Sequence, residues 1–257
     1  MTMSPLTTDF SNLEKVGFDL PPVAVKFEYF KPEGVEPLDP PLAMCEMPRH
    51  AQTSGKVFYM DITNEDCMGK GAMGMLGEDP SWATAGLIGE RMWVFKDPGA
   101  NIRCMKHYTF FPRKSVNYII FAPLPACTFE PDLLICTGDV KQVGAIMRAA
   151  SYSTGDAFVS MSTPVFQCSW MFAYPFIENK VNYFTLGMGL GTGGRKAYTP
   201  GEMMVSVPRP RFRDIMESLG EMEIVNPAWQ GTREEWIEKE AGIYAKLISD
   251  AEEAGLA

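Results

Sequence analysis

Residues 44–77 read MCEMPRHAQTSGKVFYMDITNEDCMGKGAMGMLG. The stretch holds two of the six cysteines, one of the two histidines and a glycine–methionine run after the second cysteine. It has an echo further along. Gly55, Phe58, Met60 and Cys67 are matched by Gly155, Phe158, Met161 and Cys168. Glycine leads phenylalanine by three residues in both, and leads cysteine by 12 in the first and 13 in the second. An apolar helical pattern precedes each glycine. This predicts two pseudo-repeated halves, about 20–115 and 116–220, packed as one globular unit of residues 1–257, with Cys67 and Cys168 in equivalent places. Chance similarity is the competing explanation.

Outward from this stretch, strands alternate with helices. Strands are expected at Val23–Phe27, Val57–Ile62, Arg91–Phe95, Leu133–Cys136, Ala157–Met161, Tyr183–Leu186 and Met203–Val207. The run VNYIIFA at 116–122 has the continuous apolar character of a strand buried on both faces. Helices are expected at 5–20, at 42–54 with Pro48 in the first turn or interrupting it and Gly55 just past the end, and at 78–90. Further helices are expected from Asp139, whose capping box is completed by Gln142, over 164–173, and over 211–219. Thr232 and Glu235 make a second capping box that opens a C-terminal helix at 232–251. Residues 96–115 read as irregular. The pattern predicts an α/β (or α+β) fold with a mixed sheet.

A hydrophobic content of 46% and a charged content of 21% suit a globule with a sizeable core. The net charge of −9 argues against nucleic acid, whose binding runs on Lys/Arg neutralisation of phosphates. No apolar run is long enough to span a bilayer, so no membrane association is expected. MTMSPLTTDF lacks the basic and apolar regions of a secretory signal, so the expected location is cytoplasmic. There, cysteines serve as buried thiols, metal ligands or nucleophiles rather than disulfides.

Three constellations carry chemistry. Thr63 and Asp66 offer caps for a helix start that would place Cys67 at a helix N-terminus, where thiolate is favoured. With Cys168 related to it by the duplication, and with Cys45, three thiolates would hold an iron–sulfur cluster and leave one iron open. On spacing alone, three buried and inert cysteines are the simpler reading. Cys104 and His107 form a CxxH without a second pair, and His50 follows Cys45 by five residues. Gly187 to Arg195 contains a formal GxGxxG, yet it leads into a strand and not into a dinucleotide-binding helix. What remains is a glycine loop, Gly189, Gly191 and Gly194, whose amides approach an anion or cofactor with Arg195 as charge partner. A wide hairpin loop explains it equally well. Glu65 and Asp66 read as solvated or capping carboxylates.

PVAVKF (22–27), Met44-Cys45, Cys67 with its glycine-rich continuation, YIIFAPL (118–124), PDLLI (131–135), Cys168 and the glycine run before EMMVSVP resemble the uncharacterised DUF169 family of archaea and anaerobic bacteria. The resemblance covers roughly residues 20–220. It matches Cys45, Cys67 and Cys168, and not Cys104, Cys127 or Cys136. It implies a shared cysteine site and an anaerobic setting that suits an oxygen-sensitive metal cofactor, and it names no reaction.

The leading expectation is a [4Fe–4S] protein with Cys45, Cys67 and Cys168 as ligands. The glycine loop and Arg195 would line a cavity for a small molecule on which the cluster has a redox or Lewis-acid role. The alternatives are a binding protein for a tetrapyrrole or other large apolar cofactor, and a cofactor-free thiol enzyme. The expected partners are a small-molecule ligand or a redox protein, and a second copy of the chain in a homo-oligomer.

Overall fold

The computed structural model describes residues 6–78 and 85–256. The chain divides into two compact units, Met1–Met222 and Glu223–Ala257.

The first unit is built on seven strands: β1 (Val23–Glu28), β2 (Glu36–Pro37), β3 (Phe58–Met60), β4 (Tyr118–Pro123), β5 (Leu133–Gly138), β6 (Asn182–Thr185) and β7 (Met203–Pro208). Their order is β2-β3-β4-β1-β5-β7-β6. Among the described strands, β2 and β3 pair in parallel and the other strand pairings are antiparallel. This is the α/β architecture with a mixed sheet that the sequence pattern predicts. Side chains alternate across β4 with period two. Ile119 and Phe121 join Val23 and Val25 in one core, while Ile120 and Ala122 join Ala24 and Tyr59 in another. Both faces are covered, so the strand carries no polar alternation. Full burial of Phe121 alone is worth roughly 1.5–3 kcal/mol.

The helices of this unit are α1 (Met47–Ser54), α2 (Gly69–Ala72), α3 (Leu87–Arg91), α4 (Pro98–Met105), α5 (Val140–Tyr152), α6 (Tyr174–Glu178), α7 (Leu190–Gly194) and α8 (Phe212–Glu221). α1 lies against β1 and β4. Pro48 sits in its first turn, and Gly55 closes it at φ +70°, donating its N–H to the Ala51 carbonyl. α5 begins with the expected capping box: Asp139 accepts from Lys141 N and Gln142 N at 2.8 Å each, and Gln142 returns Oε1 to Asp139 N. α5 packs on β5, β7 and α8. Ahead of α6, a π-helical turn spans Ser169–Ala173, and all five of its residues are buried.

Several expectations are corrected. The 5–20 helix is a six-residue 3-10 helix, Ser11–Val16, stopped by Gly17 in the left-handed region. Arg91–Phe95 is not a strand; the chain turns there, with Trp93 at φ +54°. Residues 96–115 are not irregular throughout, because Asp97 caps α4 by accepting from Ala100 N. Of the 78–90 helix, Leu87–Arg91 forms and residues 79–84 lie outside the described residues. Ala157–Met161 joins no ladder, whereas its supposed counterpart forms β3. The two-halves expectation is therefore not confirmed.

The second unit holds a 3-10 turn, Pro227–Trp229, and helix α9 (Arg233–Glu253). Thr232 and Glu235 form the capping box expected from their spacing, and no residue of α9 is buried.

Candidate functional site: a thiol-lined cavity

Cys45 lies in the turn that leads into α1. That turn is pinned beside the loop preceding α2. Leu42 donates its N–H to Asn64 O, and Asp66 donates back to Leu42 O at 3.2 Å. Glu65, only 2% exposed, completes the seam: Oε1 accepts from Met44 N at 3.2 Å and Oε2 from Lys70 N at 3.3 Å. Gly69 packs so close that a Cβ there would stand 2.6 Å from Met44 Cβ. The loop carrying Cys67 is thereby laid against the turn carrying Cys45.

Cys168 arrives from the far side of the sequence, in the helical turn that runs into the π segment. Phe166 just before it holds φ +54°, a costly value for a non-glycine residue. α7 then closes the arrangement. Leu190 donates its N–H to Pro164 O at 2.7 Å. A Cβ on Gly191 would sit 3.3 Å from Cys45 Sγ.

Cys45, Cys67 and Cys168 line one cavity of about 230 Å³, together with Glu65, Gln167, Gly191, Thr192 and Arg195 and an apolar remainder from Met44 to Leu190. Cys45 and Cys168 are 9% and 8% exposed, while Cys67 stands exposed. Burial first, and then the neighbouring Cys67, pushes the Cys45 thiol up to about 12. Burial, followed by Glu65 and the other two cysteines, raises the Cys168 thiol well above its ordinary value. Burial also raises the Glu65 carboxyl, against the pull of the Met44 and Lys70 N–H groups. All six cysteines are free thiols. Among the described residues, no group of three or more His, Cys, Asp or Glu stands ready to hold a single metal ion.

Other expected site residues fall elsewhere or act differently. Thr63 and Asp66 cap no helix: α2 is four residues long, its N-cap is Met68, and no side chain caps it. So short a helix lends Cys67 little dipole. The glycine run is neither a loose loop nor a set of left-handed residues. It coils into the single turn α7, and none of its glycines has positive φ. Gly189 gives room to Gln167, whose Oε1 lies 1.5 Å from where a Cβ would be. Gly194 faces open space and does not line the cavity. Arg195 is already engaged: Nη1 bridges Glu46 Oε2 and Asp66 Oδ1 at 3.0 Å each. Its partners are the immediate neighbours of Cys45 and Cys67, so it clamps the two cysteine segments to α7. Cys104 is half-buried and touches the Tyr108 hydroxyl at 3.4 Å, His107 is exposed, and His50 packs its ring on Phe58. None of these three lines the cavity. Nothing in the sequence singles out Gln167, and Glu65, expected as a solvated or capping carboxylate, is buried and accepts the Lys70 N–H at the start of α2. No local pattern marks either one, because their burial is created by packing.

Sheet and site together define a mixed α/β protein that gathers three thiols from distant segments around one small cavity. The chain belongs to the DUF169 family (uncharacterised ArCR), whose model matches residues 13–218. It is similar to MJ0308, an uncharacterised protein of Methanocaldococcus jannaschii, at 27% identity over 217 residues, which is 80% of this chain and 90% of the relative. No solved structure matches the chain. Among the described residues no helix is long and apolar enough to cross a membrane.

Proposed function

We propose that the protein holds a [4Fe–4S] cluster on Cys45, Cys67 and Cys168 and uses it on a small molecule bound in the same cavity, within the cytoplasm of an anaerobic cell. The observation that carries this reading is that three cysteines from three separate segments line one cavity. A single zinc or iron ion needs its sulfurs bunched about 2.3 Å from one point. A cluster takes one thiolate per iron and so suits cysteines spread around a space. Three cysteines leave one iron without a protein thiolate, and the group then supplies a redox-active or Lewis-acidic centre.

The chain's own residues supply the setting. The walls are mostly apolar. Gly191 lets α7 approach Cys45 without a side chain between them. The Arg195 clamp and the Glu65 seam hold the Cys45 and Cys67 segments in register. Burial disfavours ionisation of Cys45 and Cys168, so loading releases protons and strengthens with pH.

The alternatives draw less support. A cavity of about 230 Å³ is small for a tetrapyrrole, since pockets for drug-sized ligands run roughly 300–1,000 Å³. A thiol enzyme would rest on Cys67 alone, because burial keeps the other two as neutral thiols. The test is an absorbance spectrum with iron and sulfide analysis on protein purified without oxygen. The expected result is a broad brown absorbance with about four irons and four sulfides per chain, lost in Cys45→Ala, Cys67→Ala and Cys168→Ala. Colourless, iron-free protein under those conditions refutes the reading.

A further inference from the structure

Gln167 is 5% exposed and lines the cavity beside Cys168. Its Oε1 accepts from Thr192 Oγ1 at 2.7 Å, but its buried Nε2 has no partner. Turning the amide over does not cure this. Thr192 has one hydroxyl hydrogen, and Leu186 O is also in range to take it. In either orientation one polar atom of the Gln167 amide is left over. A buried amide group without a partner is costly, and such groups are rare in folded proteins.

The charges around the cavity set what can satisfy it. Arg195 is shared between Glu46 and Asp66, and Lys70 lies 3.9 Å from Glu65. Three carboxylates thus face two cations. Among the described residues no uncompensated positive charge lines the cavity for an anion. A cation finds no free carboxylate either, since Glu46 and Asp66 hold Arg195 while Glu65 holds Lys70 and two backbone N–H groups. The remaining walls include Met44, Met68, Ile88, Met92, Val165 and Phe166, all apolar. The volume exceeds the roughly 150 Å³ of a cavity that admits benzene.

We infer that this cavity is a binding site for a small uncharged molecule with an apolar body and one carbonyl-type group, read by the side-chain amide of Gln167. The inference rests on reading the cavity as the working site, but not on which metal group, if any, the cysteines hold. It replaces the anionic ligand expected from the glycine run and Arg195. An amide-bearing ligand meets Gln167 in either orientation, since it offers both a donor and an acceptor.

Ligand-observed NMR titration of the full chain with three probes of one shape, benzamide, benzoate and toluene, tests this. The titration is run on protein as purified without oxygen and again after iron chelation. Benzamide is expected to bind at least tenfold more tightly than benzoate. In Gln167→Leu, benzamide should weaken about tenfold while toluene binding persists, which also shows that the variant is folded. Gly189→Ala, which pushes a Cβ into the Gln167 amide, should act in the same direction with Gln167 itself intact. Benzoate binding as tightly as benzamide overturns the inference. So does unchanged benzamide affinity in both variants, or no binding of any probe. Protein that is iron-free as purified without oxygen, yet binds benzamide, refutes the cluster and leaves this inference standing. Iron-loaded protein that binds no probe, before or after chelation, does the reverse.

Discussion

Alkylation of the iron-free protein separates the three thiols by rate, and the structure sets the order. Cys67 is exposed, whereas Cys45 is 9% and Cys168 8% exposed. The Cys45 thiol is pushed from an ordinary 9.0 up to about 12, mainly by burial and next by Cys67. Thiolate is the reacting form, so this shift leaves about a thousandfold less of it, or about 4 kcal/mol. Iodoacetamide at neutral pH should therefore modify Cys67 first, with Cys45 slower by roughly a hundredfold or more once the higher nucleophilicity of its thiolate is allowed for. In urea the disparity should vanish, because the burial that causes it is gone. Isotope-tagged reagent with peptide mass spectrometry gives all three rates in one experiment. Cys45 reacting within tenfold of Cys67 in native protein would refute the argument, since it would mean that the turn before α1 opens freely. Iron-loaded protein should protect all three cysteines together.

Four other outcomes follow from named contacts. Arg195→Gln removes both ion pairs to Glu46 and Asp66; as half-exposed pairs they contribute about 1 kcal/mol to urea unfolding, with a larger loss in iron retention. Glu65→Ala leaves Met44 N and Lys70 N without their buried acceptor, and should cost about 3 kcal/mol in the same assay. Burial raises the folded-state Glu65 carboxyl, so the penalty for its charge applies above that raised value. Wild type should gain stability relative to Glu65→Gln as pH falls through it toward the ordinary carboxylate value. Thr232→Ala breaks the capping box of α9 and should cost about 1 kcal/mol, seen as roughly fivefold faster amide exchange in that helix's first turn.

Local signals in the sequence were read well. The apolar run of β4, the two capping boxes and the Gly55 stop depend on a handful of adjacent residues, and each takes its expected form. Signals that depend on packing were harder. Ala157–Met161 has a strand-like composition but joins no ladder; Met161 exchanges hydrogen bonds with the Asn182 side chain instead. As sequence, the glycine run fits an anion- or cofactor-binding loop and a wide hairpin equally well. Its glycines instead serve proximity, with Gly191 against Cys45 and Gly189 against Gln167, and a sequence cannot distinguish these two uses of a missing Cβ. The three cysteines were legible as a set, but nothing near them in sequence marks Gln167, and Arg195 was legible only as a charge, not as a clamp.

The π turn at Ser169–Ala173 has a consequence for reading related chains. One extra residue in a helical turn shifts the phase of everything on one side of it by about 100°. Here it sets Gln167 and Cys168 toward the cavity independently of the direction in which α6 continues. Trp170, Met171, Phe172 and Ala173 are all wholly buried and hold the turn in place. A chain with one residue fewer in this stretch would keep its cysteine in alignment yet rotate it away from Cys45 and Cys67. The length of this turn, as much as the presence of a cysteine, therefore distinguishes chains able to assemble the three-thiol site from those that merely conserve its letters.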